Sequence, residues 1–214
     1  MMFLALLSII LAIYTLYDDS LSEKSHKAII DMQKDYPQSE NTSKVSRAIF
    51  IETYSDGIFY LLVPFFIYPF VCRQRFFYYL GGICASQFIK SILKLSFHAP
   101  RPLWLWSDIQ CYAKEDSFAS PSGHTIDASF LVFLVILDTF FASNYSRRMH
   151  PSSNAFSLSG HMVVFLTVSA FGLVYIYTIM QNRLFLGKHS YDQVLLGLQV
   201  GVWFACYLHF CWRD

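Results

Sequence analysis

Long runs without charge alternate with short polar interruptions along this chain, and that alternation limits the fold more than any single residue does. An α-helix needs about 20 mostly apolar residues to cross a bilayer, with a usable range of about 17 to 25. Six stretches meet that length: Met1 to Tyr17, about Ile49 to Cys72, about Phe76 to Leu95, about Thr125 to Phe141, about His161 to Met180 and about Ser190 to Cys211. Only 14% of the 214 residues are charged, while 55% are hydrophobic and 18% aromatic. A soluble domain carries roughly 25% charged residues. In lipid the backbone must satisfy its own hydrogen bonds, so the stretches are expected to be helices. The reading is all-α: one integral membrane domain over 1–214, a bundle of six transmembrane helices.

The first stretch lacks the basic flank and small-residue cleavage site of a signal peptide, so it reads as a short membrane helix stopped by Asp18-Asp19. A polar loop is expected over 18–47, with an interfacial helix near Ala28-Ile29-Ile30 and an Asn41-Thr42-Ser43 glycosylation triplet. The turn Arg73-Gln74-Arg75 is short enough to force its flanking helices antiparallel. Trp104 and Trp106, in the loop of about Ser96 to Ser120, read first as interfacial anchors.

With 16 Lys+Arg against 15 Asp+Glu the net charge is +1, so no global field recruits nucleic acid. Cys72, Cys84, Cys111, Cys206 and Cys211 make no CxxC or Cys/His pair, which sets aside zinc and a disulfide framework and leaves them as small apolar fillers. Arg73, Arg75, Arg147, Arg148 and Arg213 mark one face as cytosolic by the positive-inside rule. The opposite face holds more basic residues, diluted by acids, together with the Asn41 triplet, and is expected to be lumenal.

On that lumenal face an up-down bundle brings three strings together. They are Lys94-LSFHAP-Arg101-Pro102, Pro121-Ser122-Gly123-His124, and Arg183-LFLGK-His189 followed by Asp192 and Gln193. Arg forks match phosphate oxygens bidentately, and Ser122 and Gly123 open a helix whose N–H groups and dipole favour an anion. Two histidines suffice for a two-step phosphoryl transfer, one as nucleophile and one as acid, then base. No carboxylate cluster suits a magnesium clamp, so no metal and no cofactor are expected.

Together the strings resemble the three-part signature of the type 2 phosphatidic acid phosphatase and vanadium haloperoxidase superfamily, K-x6-RP, PSGH and SR-x5-H-x3-D, over about Lys94 to Gly197. The resemblance implies that Lys94, Arg101, Ser122, Gly123 and Arg183 bind the phosphoryl group. It also implies that His189 attacks phosphorus, that His124 protonates the leaving oxygen and then activates water, and that Pro102 and Pro121 shape the loops.

Two positions depart from the pattern. Asn182 replaces the usual Ser, and Gln193 replaces the Asp expected to hold the nucleophile's tautomer. Similar H-x3-Q strings occur in members resembling glucose-6-phosphatase and dolichyl-diphosphatase. A Gln carbonyl can orient the ring without supplying charge, and Asp192, three residues after His189, is the carboxylate expected to substitute. Asp127 is expected either to orient a catalytic group or to pair with Lys90 or an Arg, since a carboxylate within a span is costly. Lys90 is expected to snorkel, His98 to be a loop residue, Glu52 and Asp56 to be boundary residues, and Asp138 has no obvious partner.

The functional expectation is an integral membrane phosphatase hydrolysing a lipid phosphate monoester or pyrophosphate through a phosphohistidine. Its partners would be membrane lipids and a phosphorylated lipid substrate. The alternatives are a non-catalytic phosphatase-fold subunit of a larger membrane complex, which would bind phospholipid head groups, and a glucose-6-phosphatase-like sugar phosphatase. An endoplasmic-reticulum-like membrane is expected, with a mitochondrial inner membrane as the alternative.

Overall fold

In the computed structural model, residues 19–36, 43–54, 65, 73–110, 112, 116–149 and 155–212 are described. Their helices are α1 (Asp19–Gln33), α2 (Ser43–Tyr54), α3 (Arg73–Phe97), the short α4 (Pro102–Leu105), α5 (Gly123–Met149), α6 (Ala155–Phe185) and α7 (Tyr191–Trp212), and no strand occurs among the described residues. Among the described residues, three segments are long and apolar enough to cross a membrane: Gly123–Phe141, Met162–Phe185 and Tyr191–Trp212. They correspond to the fourth, fifth and sixth expected spans. The third falls inside α3, which is long enough at 25 residues but carries Arg73, Arg75, Lys90 and Lys94 and is not among the three. The first expected span lies outside the described residues, as does the second beyond Tyr54 except for Phe65.

The expected polar loop over 18–47 is largely helical. Ser25, Ile29 and Gln33 recur every four residues along α1 and are buried, so one face of this helix docks on the bundle. It packs across α6 and α7, while α2 packs on α6. The described core lies among α3, α5, α6 and α7, where Tyr79, Ile83, Phe130, Leu134, Ile176, Ile179, Phe204 and Leu208 are buried together. A smaller cluster of Val45, Ala48, Phe185 and Leu186 joins α2 to the end of α6.

Helices α5 and α7 approach each other closely. A Cβ on Gly201 would lie 1.9 Å from Ser129 Oγ and 2.6 Å from the Ile126 carbonyl oxygen, and one on Gly197 would lie 2.7 Å from the Ser122 carbonyl oxygen. This GxxxG spacing lets the two backbones touch, the device by which membrane helices pack without large side chains between them.

Buried charges between the helices are paired. Asp127 accepts hydrogen bonds from Lys90 Nζ at 2.8 Å, Gln87 Nε2 at 2.9 Å and Ser86 Oγ at 3.0 Å, so Lys90 reaches across to α5 and does not snorkel. Pairing with Lys90 is therefore the expectation for Asp127 that the structure meets. Asp138, for which no partner was evident, accepts from Arg75 Nη1 and Tyr79 Oη at 2.8 Å each and lies 3.0 Å from His209 Nδ1. Sequence reading missed these contacts because the partners sit on separate helices.

Candidate active site

The first string starts in the last turn of α3 with Lys94, and His98 ends the helix with a left-handed φ of 48°. His98 N donates to the Lys94 carbonyl and its ring meets Phe118 edge-on, so it is a helix stop, in line with its expected loop role. The chain then extends to Arg101, which is fully buried. Arg101 Nε donates to the Ser117 carbonyl at 2.7 Å, Nη1 to the Lys188 carbonyl at 3.0 Å and Nη2 to Ser117 Oγ at 3.0 Å. Lys94 Nζ donates to the same Ser117 hydroxyl at 3.1 Å. Ser117, which the sequence reading did not single out, thus gathers two of the expected phosphate ligands.

The second string opens α5. Ser122 is fully buried, its N–H donates to the Gln193 carbonyl at 3.0 Å and its Oγ accepts from Thr125 Oγ1 at 3.0 Å. The Ser122 amide is therefore committed to the third string, contrary to its expected offer to an anion, whereas Gly123 and His124 lie in the first turn, where α-helical N–H groups have no partner within the helix. Gly123 packs against Lys90, whose Cδ would lie 2.7 Å from a Cβ there. His124 is only partly buried.

The third string leaves α6 through Gly187, whose φ of 69° and 2.5 Å approach of a would-be Cβ to Ile109 exclude a side chain. Arg183 and His189 are both buried, and Arg183 Nη2 lies 3.1 Å from His189 Nε2. An Arg can only donate, so Nε2 accepts and the ring proton sits on Nδ1. Burial, and after it the charges of Arg183, Arg101 and Lys94 and the nearby His124, hold the His189 pKa well below the usual histidine value. The imidazole is neutral at pH 7.

Two expectations about His189 are not met. Its Nδ1 is buried without a hydrogen-bond partner, so neither Gln193 nor Asp192 holds it. Gln193 Oε1 instead accepts from the Ser190 N–H at 3.2 Å while Nε2 donates to the Pro100 carbonyl at 3.0 Å. Ser190 precedes the first residue of α7 and Gln193 is its third, so the pair makes half of a capping box, and the amide also ties α7 to the first string. Asp192 Oδ1 is likewise buried without a hydrogen bond. Asn182, the other departure, donates from Nδ2 to the Ala48 carbonyl at 3.1 Å and fastens α6 to α2.

Glu52 is the largest surprise. Expected only as a boundary residue, it accepts from Arg183 Nη1 at 2.9 Å and from Lys188 Nζ, placing a carboxylate from α2 between two cations of the third string. Its position in an apolar stretch was the available signal, because such an acid needs a partner. Lys188, beside His189 in sequence, reaches the same carboxylate. Among the described residues no group of three or more His, Cys, Asp or Glu side chains is arranged to hold a metal ion.

The site thus assembles Lys94, Arg101, Ser122, Gly123, His124, Arg183 and His189 from three loops onto one end of the bundle. Within it His189 is fully buried, and Lys94 and His124 lie at the more open edge.

A comparison with curated proteins gives no match. Among solved structures, the chain is similar to the crystal structure of the first transmembrane PAP2 type phosphatidylglycerolphosphate phosphatase from Bacillus subtilis, at 20% identity and a TM-score of 0.66, over 96% of this chain and 92% of that one. That likeness establishes the fold. The family model of the PAP2 superfamily matches residues 75–214 and takes in all three strings. The chain belongs to the PAP2 superfamily.

Proposed function

We propose that the protein is a six-helix membrane phosphatase that hydrolyses a phosphate monoester or pyrophosphate of a lipid at the lumenal boundary of an endomembrane. The observation that carries the reading is the pairing of a buried, neutral His189 with the Arg183 guanidinium at 3.1 Å. The Nε2 lone pair faces the cation that would hold the phosphoryl oxygens, so binding phosphate brings phosphorus to the nucleophile.

In the first step Nε2 attacks phosphorus, the ester P–O bond breaks, and His124 gives its proton to the leaving alkoxide. In the second, His124 takes a proton from water, the oxygen attacks the phosphohistidine, and phosphate leaves with the P–N bond electrons returning to Nε2. Lys94, Arg101 and Arg183, with the first-turn amides of α5 at Gly123, stabilise the equatorial oxygens in both steps. The reaction needs no metal. Nδ1 of His189 and Oδ1 of Asp192 are both buried without hydrogen bonds three residues apart, and we assign Asp192 as the carboxylate that meets the imidazolium when the phosphoryl group is on the ring.

The rival reading, a non-catalytic subunit that holds phospholipid head groups within a complex, draws on the absence of any carboxylate at His189 Nδ1. Phosphate release by purified protein from a panel of lipid phosphates in the presence of a chelator, with His189→Ala as blank, separates the two. Release that disappears in the variant sustains the enzyme. None from any substrate, with stoichiometric co-purification of other membrane proteins, favours the subunit. Under the enzyme reading, Asp192→Asn lowers turnover at least tenfold with KM little changed, and unchanged turnover removes Asp192 from the mechanism.

A further inference from the structure

A cavity of about 350 Å³ opens between α2 and α6, and among its lining residues Phe185 is the one drawn from the three strings. From α2 it is lined by Lys44, Arg47, Ala48 and Ile51, a spacing of i, i+3, i+4 and i+7 that puts them on one helix face. From α6 it is lined by Tyr177, Gln181 and Phe185 among others. Arg183, one of the catalytic cations, lies on a different side of α6 and points to His189.

The groove has two chemically distinct ends. Lys44 and Arg47 supply positive charge, and no acidic residue lines it. Lys44 Nζ is held over the Tyr36 ring at 4.0 Å and the Phe185 ring at 4.8 Å, cation–π contacts that fix the ammonium in place. The other walls are largely apolar and continue onto the uncovered face of α6, where Tyr177 is 62% exposed, Val174 63% and Phe171 74%. Lys44 faces Phe185, the last residue of the membrane-crossing segment Met162–Phe185, so the cations stand at headgroup depth, while Tyr177, Val174 and Phe171 lie about two to four turns further in and run toward the acyl region.

We propose that this groove is a second, non-catalytic site for an anionic phospholipid, its phosphate between Lys44 and Arg47 and an acyl chain along Ile51, Tyr177 and the exposed face of α6. Charge selects an anionic headgroup, and the continuous apolar wall selects a lipid over a soluble phosphate. The site rests on the membrane reading of the chain and not on its being a phosphatase.

Native mass spectrometry of the full-length protein in detergent, titrated with phosphatidylglycerol or phosphatidylcholine, tests the proposal. The wild type is expected to retain phosphatidylglycerol about tenfold better. Lys44→Gln/Arg47→Gln is expected to remove that preference, about a tenfold loss for the missing charge-assisted bonds. Lys27→Gln on exposed α1 and His189→Ala are expected to change nothing. Thr178→Trp, at the exposed wall, is expected to block both lipids by filling the groove, and it decides the matter if the double variant fails to fold by circular dichroism.

Equal retention of the two lipids by the wild type, or undiminished phosphatidylglycerol in both groove variants, overturns the site. Loss of the lipid in His189→Ala assigns it to the catalytic pocket. Displacement by millimolar inorganic phosphate makes it a plain anion site. Phosphate release is expected to persist in the groove variants and to be lost in His189→Ala, so failure of the groove and failure of the phosphatase reading are distinguishable.

Discussion

Glu52→Gln removes a carboxylate that touches two site cations and leaves the shape of the side chain intact. Arg183 and Lys188 are 1% and 3% exposed and Glu52 is 16% exposed, so the variant leaves two cations in a poorly hydrated place. Breaking a buried ion pair by removing one partner costs about 3–5 kcal/mol. Partial exposure of Glu52 puts the loss near the lower end, about 3 kcal/mol. For a chain of this size each kcal/mol moves Tm by about 2–4 °C, so a fall of about 6–12 °C is expected in detergent, against about 1 °C or less for the exposed control Glu23→Gln. Inorganic phosphate supplies a replacement anion to Arg183. At a hundredfold excess over Kd it returns about 2.7 kcal/mol, closing most of the gap in the variant. A Tm within about 1 °C of wild type refutes the energetic reasoning. A full loss that phosphate does not recover refutes the claim that Glu52 and substrate phosphate share the same cations.

The depressed pKa of His189 fixes a pH dependence: the native histidine binds fewer protons than the unfolded one, so stability is complete above about pH 6.5 and declines as pH falls toward the native pKa. Thermal melts of wild type and His189→Gln from pH 8 to 4.5 check this, and parallel curves would contradict it; Lys94→Gln, by removing one depressing charge, moves the acid limb of kcat/KM upward. Gly201→Ala places a Cβ against backbone of α5 and is expected to destabilise by about 2 kcal/mol or more, while Gly81→Ala, with nothing within 4 Å, is neutral or slightly stabilising in the same melt. Lys90→Met strands the buried Asp127 carboxylate and costs about 3 kcal/mol, and the double variant with Asp127→Asn recovers part of it, a coupling that a double-mutant cycle reads directly. Gln193→Asp keeps an acceptor for Ser190 but cannot donate to Pro100, so stability falls by about 1 kcal/mol while the new charge raises the His189 pKa and moves the acid limb upward; an unmoved limb would show that residue 193 does not act on the nucleophile.

Much of the site was legible because its residues are bound to short strings. A proline after Arg101, a glycine before His124 and a fixed spacing from Arg183 to His189 carry the chemistry whatever the surrounding helices do. The helices of residues 123 to 212 were legible too, since an unbroken apolar run admits little else in lipid. What escaped is whatever depends on facing between distant elements. Glu52 and Arg183 are 131 positions apart, and Asp138 meets Arg75 across 63; neither spacing has a period to read. Gln193 shows the complementary difficulty. A four-residue offset from a histidine is equally the offset from an N-cap plus one, and here the capping geometry won because Ser190 supplies the cap and the amide donates as well as accepts.

The placement of charge along α3 separates the cations paired inside the bundle from those gathered at the site. Arg75, Tyr79, Ser86 and Lys90 recur at near-helical intervals on the side facing α5, and α5 answers with Asp138 and Asp127, eleven residues or about three turns apart. Each donor of that stripe meets a carboxylate inside the bundle. The next member of the same stripe, Lys94, has passed the last acid of α5 and meets the Ser117 hydroxyl, and Arg101 beyond it meets that hydroxyl and backbone carbonyls. Glu52 answers Arg183 and Lys188 together, two cations to one carboxylate. Arg183, Arg101 and Lys94 are the charges that, after burial, hold the His189 pKa down. An Asp at position 193 would offset part of that positive charge. With Gln there, burial and the site cations together hold His189 neutral, and under the proposed function the phosphoryl group brings the negative charge.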